Sequence, residues 1–502
     1  MKPILLFFLA QILVTSAGNN VLLIIADDYG TDSSPLYNTA AGATASTPHI
    51  ATLAASGVRF SNAYACPVCS PTRAAIITGR HGFRTGVGHV AAAADGNSLS
   101  AAETTLPEVI SQNGGLGIQA ACFGKWHLTA GTPAATAGAP NTIGGWSHYA
   151  GATGGALSDY FSWNKSTNGV LSNVTTYATT DLVNDATAWI NARRSAGQQW
   201  VAWIAFNAPH TPFHSPPASL HSYGANPATN LLKYRAAVQA MDTEIGRLLL
   251  SVDTATTDVI FVGDNGTPGQ VIQPPYDAAH SKGTLYEGGT RVPLVISGPS
   301  VVSGGRTSGA LVHVVDLFST VLELAGVPLP TSVTLDSNSL KPVLADPSTD
   351  LRTRIYNEVF MQSDPAAGGR TIRDDRYKLI RLNTGTEEFY DLLASPAETV
   401  NLLTGGLGPV DLPFYNRLRF NLGGYSPVAT PPPLSHAVSP AGFSLTVPEA
   451  PASSQTMWQC DDLDFWAPVS GAIRTSAGGN VTFTAPAPLP EKSFYSILTE
   501  TP

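Results

Sequence analysis

Residues 20–30 read NVLLIIADDYG. An unbroken run of Leu, Ile and Val has no polar face, so as a strand it is buried on both sides, the habit of parallel sheets covered by helices. The run ends in two adjacent carboxylates, Asp27 and Asp28. In open α/β sheets ligands lie beyond the carboxyl ends of the strands. Two neighbouring carboxylates at such an end repel each other unless a cation lies between them.

The same texture recurs along the chain. QAACFGKWHL (119–128), QWVAWIAF (199–206) and DVIFVGDNG (258–266) are apolar runs whose ends carry polar residues. Between them lie helical patterns. One follows Ser46 or Thr47 as cap and stops at Gly57, one spans 104–114, and one spans 179–194. Another, over 231–252, repeats Tyr234, Val238, Met241, Ile245, Leu248 and Leu249 at helical spacing. Alternating strands and helices predict an α/β fold, a mostly parallel central sheet flanked by helices. From about residue 352 the pattern changes: RIYNEVF, RTIRDDRYKLIRL and EEFYDLL read as antiparallel strands of a smaller unit. The predicted organisation is a catalytic α/β domain over 18–350, an antiparallel α+β subdomain over 351–422, a Pro/Gly-rich linker over 423–440 and a β-rich appendage over 441–502. No repeat of the solenoid kind is present.

Hydrophobic residues make up 43% and charged residues 13% of the 502, which supports a large core, and the net charge of -9 excludes a basic nucleic-acid footprint. Lys2, the apolar run Ile4–Val14 and Thr15-Ser16-Ala17 match a secretory signal cut after Ala17. The run is too short to span a bilayer, and no other stretch is long and apolar enough. The expected location is therefore secreted or periplasmic. The cysteines, Cys66, Cys69, Cys122 and Cys460, are too sparse for a disulfide framework.

Asp27, Asp28, Asp264 and Asn265 offer hard oxygen donors, the kind that select Ca²⁺ or Mg²⁺ over Zn²⁺. Each pair alone is also an ordinary turn sequence. Lys125 and His127 in GKWHL, His210 in NAPHTPFH and Lys282 in HSKGTLYEGGTRVP are each readable as solvated tips. Together, next to a metal, they make a pocket for a tetrahedral anion. CPVCSPTRAAIITGR (66–80) is left without a role by that logic. Cys-x-x-Cys suits a redox pair, but Ser-Pro-Thr-Arg has no part in one. Zinc would need a second cysteine pair that the chain lacks. Cys66 reads as a small buried side chain.

Cys69-Ser70-Pro71-Thr72-Arg73 followed by AAIITGR resembles the signature of the type I, formylglycine-dependent sulfatases, the arylsulfatase-like branch of the alkaline phosphatase superfamily. The resemblance covers most of 20–405, through NVLLIIADDYG, CSPTRAAIITGR, FGKWHL, APHTP, GDNG, KGTLYEGGTRVP, DLFSTVLELAG and FYDLLASPAETVNLL in order. It implies an alkaline phosphatase-like fold and hydrolysis of the S–O bond of an aryl or carbohydrate sulfate. It implies that Cys69 is oxidised to formylglycine by a maturation enzyme and that the aldehyde hydrate is the nucleophile. Asp27, Asp28, Asp264 and Asn265 would bind one Ca²⁺, with Mg²⁺ the alternative, alongside the oxygen at position 69. Arg73 would position the hydrate, Lys125 and Lys282 would bind sulfate oxygens, and His127 would bond the second hydroxyl. His210 would contact the sulfate and protonate the leaving alcohol. The implied partners are a sulfated small molecule or glycan and the maturation enzyme. Two other readings share the fold: a phosphodiesterase, phosphatase or phosphonate hydrolase, and a silent homologue that binds without turnover. The constellation has no gap of the kind the silent homologue predicts.

His214 and His280 depart from the family pattern, as a substrate subsite or as loop histidines. Segment 130–178, rich in Gly, Thr and Asn, is expected to loop over the pocket mouth. Its Trp146, Tyr149, Tyr160 and Trp163 suit either stacking on substrate or local packing.

Overall fold

The computed structural model describes residues 18–40, 42–92 and 97–423, and then 435–439, 442–448, 454–460, 467–469, 472–477, 480–486 and 494–500. The leader assigned to 1–17 lies outside the described residues, as do 424–434 of the segment read as a linker.

Ten strands form one sheet: β1 (Asn20–Ala26), β2 (Gly57–Tyr64), β3 (Gln119–Gly124), β4 (His148–Gly151), β5 (Trp163–Thr167), β6 (Val170–Val174), β7 (Trp200–Ala205), β8 (Thr257–Gly263), β9 (Leu294–Ser297) and β10 (Arg306–His313). Their order is β10-β2-β9-β8-β1-β7-β3-β4-β5-β6. The central run β8-β1-β7-β3-β4 is parallel throughout; β9 enters antiparallel, and β5 and β6 add an antiparallel edge. The mostly parallel sheet flanked by helices is thus observed.

Side-chain alternation within the strands builds two cores. Val21, Leu23 and Ile25 of β1 join Val201, Trp203, Ile260 and Val262 on one face, covered by the helices Cys69–Thr78, Leu106–Gln112 and Asp316–Leu324. Leu22, Ile24 and Ala26 join Ala202, Ile204, Val259 and Phe261 on the other, covered by Pro48–Ser56, Ala178–Ser195 and Asn230–Leu249. Burying a Leu or Ile contributes about 1.5–3 kcal/mol, so β1, buried from Val21 to Ala26, is held from both sides. The helix Leu106–Gln112 has the expected cap, with Thr105 and Glu108 forming a capping box. Thr47 stands at the N-cap of the helix Pro48–Ser56, but its side chain caps no helix amide. The Asp242 carboxylate, from the helix Asn230–Leu249, accepts its first amides, those of His49 (3.1 Å) and Ile50 (2.9 Å).

The smaller unit is an antiparallel meander of β11 (Ile355–Phe360), β12 (Gly368–Arg373), β13 (Tyr377–Leu382) and β14 (Glu387–Asp391). Ile372, Leu379 and Phe389 face Leu418 and Leu422 of the helix Leu412–Gly423. Ile380 and Tyr390, on the opposite face, pack on Leu285 of the larger unit. Residues 435–439, within the segment read as a linker, form a strand, and the later strands pair antiparallel.

Segment 130–178 differs from the expected loops because β4, β5 and β6 extend the sheet. Trp146, Tyr149, Tyr160 and Trp163 are all buried, so they pack the fold and offer no exposed stacking face.

Candidate active site

Register brings the polar strand ends together. Ala26 of β1 pairs with Gly263 of β8, and Ala205 of β7 pairs with both Ile25 and Gly124 of β3. The next residues therefore emerge side by side: Asp27 and Asp28, Asp264 and Asn265, and Lys125 and His127, with His210 in the turn after β7. The ladder runs on past the strands, through Asp264 N–H to Ala26 O (3.0 Å) and Lys125 N–H to Ala205 O (2.8 Å). Gly124 is required here: it has φ +93°, and a Cβ would lie 2.0 Å from the Ala205 carbonyl oxygen.

Cys69 is the first residue of the helix Cys69–Thr78, whose N-terminal end carries a partial positive charge. Arg73, one turn on, lies on the same helical face. Two hydroxyls secure the turn into the helix. Thr72 Oγ1 accepts from Cys66 N–H (3.0 Å), and Ser70 Oγ donates to His127 O (2.7 Å). Cys66, Cys69 and Cys122 are free and buried. Burial pushes the Cys66 thiol up to about 12, which makes it inert.

All ten predicted site residues fall in one connected cluster. Three ion pairs organise it: Arg73 Nη2 to Asp264 Oδ2 at 2.7 Å, Lys125 Nζ to Asp27 Oδ2 at 2.6 Å, and Lys282 Nζ to Asp28 Oδ1 at 2.5 Å. Arg73 Nη1 also donates to Lys125 O (2.9 Å), and Asn265 Nδ2 donates to Asp28 Oδ1 (2.8 Å). Cys69 Sγ is 3.1 Å from His127 Nδ1. His210 Nε2 is 3.8 Å from Asp28 Oδ2, while its Nδ1 donates to Thr211 O at 2.8 Å, which leaves Nε2 to face the site. The Arg73, Lys125, Asp27 and Asp264 side chains are fully buried; those of His210 at 14% and Lys282 at 18% exposure mark the mouth. Asp28 (φ +67°) and His127 (φ +50°) hold left-handed backbone that costs non-glycine residues on the order of 1 kcal/mol or more, strain of the kind that collects at functional sites.

Burial, together with Lys125, Arg73 and Lys282, holds the His127 imidazole well below its ordinary range, so it is neutral. Burial and the neighbouring Asp264 push the Asp27 carboxyl up. At Asp28 burial acts upward, but Lys282, His210 and Lys125 outweigh it and hold the carboxyl down.

The donor set fits a divalent cation. Asp27 Oδ1 and Asn265 Oδ1 are buried without a hydrogen-bond partner, a costly state that a cation relieves. Asp27, Asp28 and His210 bring ligand atoms within 4.8 Å of one another. Both Asp264 oxygens are engaged here, by Asp28 N–H (3.0 Å) and by Arg73. Oxygen-rich, carboxylate-dominated sites suit hard ions.

Several supporting residues carry no signature in the sequence. Tyr234 Oη donates to Asp28 O (2.7 Å), and Gly30 N–H bonds Thr267 Oγ1 (3.2 Å). Gly155 leaves room for His127: a Cβ there would lie 2.4 Å from the imidazole. Each joins segments far apart in the chain, so no local spacing announces it. His214 stacks on Tyr160, and His280 stacks on Tyr286, each at 3.8 Å between ring centroids.

The family model described as Sulfatase matches residues 19–327, and that described as N-sulphoglucosamine sulphohydrolase, C-terminal, matches 278–406. The chain is similar to Arylsulfatase G of Rattus norvegicus, 28% identical over 425 residues that cover 73% of this chain and 76% of the relative. It is similar to Arylsulfatase A of Homo sapiens, 29% identical over 465 residues that cover 80% and 87%. Among solved structures, Ps i-CgsB in complex with k-i-k-neocarrahexaose shares the fold, with a TM-score of 0.67 at 24% identity over 77% of this chain and 89% of that one. With the Sulfatase match spanning more than half of its length, the chain belongs to the sulfatase family, as an arylsulfatase-like type I member that hydrolyses sulfate esters.

Proposed function

We propose that this sulfatase works through a formylglycine made from Cys69 and one divalent cation, Ca²⁺, held by Asp27, Asp28, Asp264 and Asn265, on an aryl or carbohydrate sulfate. The observation that carries this reading is the pair of partnerless buried oxygens, Asp27 Oδ1 and Asn265 Oδ1, in the same cluster as Cys69 and its neighbour His127. When present, the cation and the hydrated aldehyde supply an oxygen nucleophile acidic enough to act near neutral pH.

The chain's own residues do the rest. Lys125 and Lys282 bind sulfate oxygens and offset the charge that builds on them as the ester bond breaks. Arg73, fixed by Asp264, holds residue 69 in place. His127 is neutral, so its Nδ1 can accept a proton from a hydroxyl at position 69, which stands where the thiol lies at 3.1 Å. His210 delivers a proton from Nε2 to the departing alcohol oxygen. Lys282 and His210, at the mouth, meet the substrate first. Domain boundaries at 18–350 and 351–422, and export by the 1–17 leader to a secreted or periplasmic location, belong to the same reading.

The test is mass spectrometry of the tryptic peptide 60–73, FSNAYACPVCSPTR, from active protein made with a maturation enzyme. Both cysteines lie in this peptide, so fragmentation must assign the change to Cys69. The expected result is the aldehyde at 69 and a thiol at 66, with turnover lost on chelation and restored by Ca²⁺. An unmodified Cys69 in fully active protein, or a Cys69→Ser variant with undiminished multiple turnover, overturns the reading.

A further inference from the structure

The turn that carries His210 runs from Asn207, two residues past β7, and is closed by His210 N–H to Asn207 O at 3.0 Å. A phenol from a distant segment lies against both ends of it. Tyr160 Oη is 2.6 Å from Asn207 O and 2.8 Å from His210 O, so its one hydroxyl hydrogen is shared between the two carbonyls. We propose that Tyr160 is a positioning residue: its hydroxyl clamps the Asn207–His210 turn and so holds His210 Nε2 at the site.

Tyr160 is well anchored for this. Its ring is 1% exposed and stacks on His214, with centroids 3.8 Å apart and planes at 22°. Its own carbonyl accepts from Ala178 N–H (2.9 Å), which ties it to the start of the helix Ala178–Ser195. His214 is held in turn by Tyr177 Oη (3.0 Å) and by Pro212 O (3.0 Å). Burial keeps the Tyr160 phenol protonated, so the donor is present throughout the working pH range. On the far side of the clamp, His210 Nδ1 is committed to Thr211 O, so the direction of Nε2 follows the turn. A turn that shifts by a fraction of an ångström moves Nε2 away from the leaving oxygen, and proton transfer is sensitive to that distance. This also gives His214 a place: it supports the clamp's ring.

The inference rests on the reading of His210 as the acid that protonates the departing alcohol. That reading predicts that damage to His210 grows as the leaving group becomes more basic. Nitrophenyl sulfate departs with little help, whereas a sugar sulfate needs the proton. Tyr160→Phe removes a single oxygen atom and keeps the stacked ring. The experiment measures kcat and kcat/KM for His210→Ala, Tyr160→Phe and the double variant over a series of aryl and sugar sulfates. For Tyr160→Phe the expected result is a loss of about tenfold or more in kcat on sugar sulfates, a few-fold at most on nitrophenyl sulfate, and little change in KM. In the His210→Ala background the same substitution should cost nothing further. A Tyr160→Phe loss that is uniform across leaving groups while that of His210→Ala is not, or one that multiplies with that of His210→Ala, overturns the proposal. If His210→Ala itself shows no dependence on the leaving group, the acid reading fails separately. The double variant then still decides: non-additivity supports positioning through His210, and additivity refutes it.

Discussion

Replacing Arg73 by Met tests the proposed cation site where its electrostatics are most exposed to measurement. The guanidinium is completely buried and makes two contacts, Asp264 Oδ2 at 2.7 Å and Lys125 O at 2.9 Å. Without it, Asp264 keeps only the Asp28 amide at 3.0 Å as a neutral donor. Met preserves most of the volume, so the cavity contribution is small. The cost is then that of leaving a buried carboxylate unpaired, about 3–5 kcal/mol in metal-free protein. A bound divalent cation changes this balance, because Asp264 regains a positive neighbour and the cluster has lost one competing positive charge. Linkage then requires the variant to bind Ca²⁺ more tightly by whatever part of the deficit is recovered. Recovery of about 2 kcal/mol corresponds to roughly 30-fold tighter binding. The assay is urea unfolding of chelated and Ca²⁺-saturated protein, followed by tryptophan fluorescence, beside a direct Ca²⁺ titration of each variant. A metal-free deficit below about 1 kcal/mol would show that Asp264 does not depend on Arg73. An unchanged or weakened Ca²⁺ affinity would refute a cation next to Asp264. Activity should be lost in either state.

Three further expectations address other parts of the molecule. Lys378 Nζ is buried between Glu287 (3.0 Å) and Glu398 (2.8 Å), across the contact between the two units. Lys378→Met should therefore destabilise by about 3–5 kcal/mol, partly restored by adding Glu398→Gln; a neutral single variant in thermal unfolding would disprove the pairing. Burial lowers the His81 imidazole from 6.5 to about 4, with Arg352 and Arg84 also acting downward and Asp336 upward. His313, 4.8 Å away between ring centroids, is lowered as well and adds to the effect. The unfolded chain thus takes up a proton near pH 6.5 that folded His81 refuses until about pH 4. The stability this contributes is complete above pH 6.5 and is lost as pH falls toward 4, on the order of 3 kcal/mol. His81→Phe, which keeps the ring beside Phe83 and Tyr356, should flatten the acid limb of the stability profile; an unaltered limb contradicts the assignment. Finally, Gly155→Ala should cut kcat, because its Cβ would displace the His127 ring. Wild-type turnover in that variant would show that the segment yields at no cost.

The site was readable in the sequence to the extent that its residues follow strongly patterned strands. Asp27, Lys125 and Asp264 each come directly after an apolar run, and a run buried on both faces must end where polar groups can begin. Their residue types then restrict the chemistry. Tyr160 illustrates the opposite case. An aromatic residue in a Gly- and Thr-rich segment suits substrate stacking and core packing equally well, and only the burial created by β4–β6 and His214 decides between them. The cap on the helix Pro48–Ser56 is similar. Thr47 and Ser46 are good local candidates, yet Asp242, 192 residues from Ile50, makes the bond because the packing of two helices delivers it.

By itself, then, the amino-acid order determined the α/β class, the family and the identity of the residues at the strand ends. Those follow from short-range pattern and from residue types with few alternative uses. Tertiary structure alone decided which cation pairs with which carboxylate, which buried oxygens are left without a hydrogen-bond partner, and which side chains lie against His127 and the His210 turn. Those depend on register and on contacts between segments remote in sequence, where sub-ångström distances determine the energy and no periodicity records them.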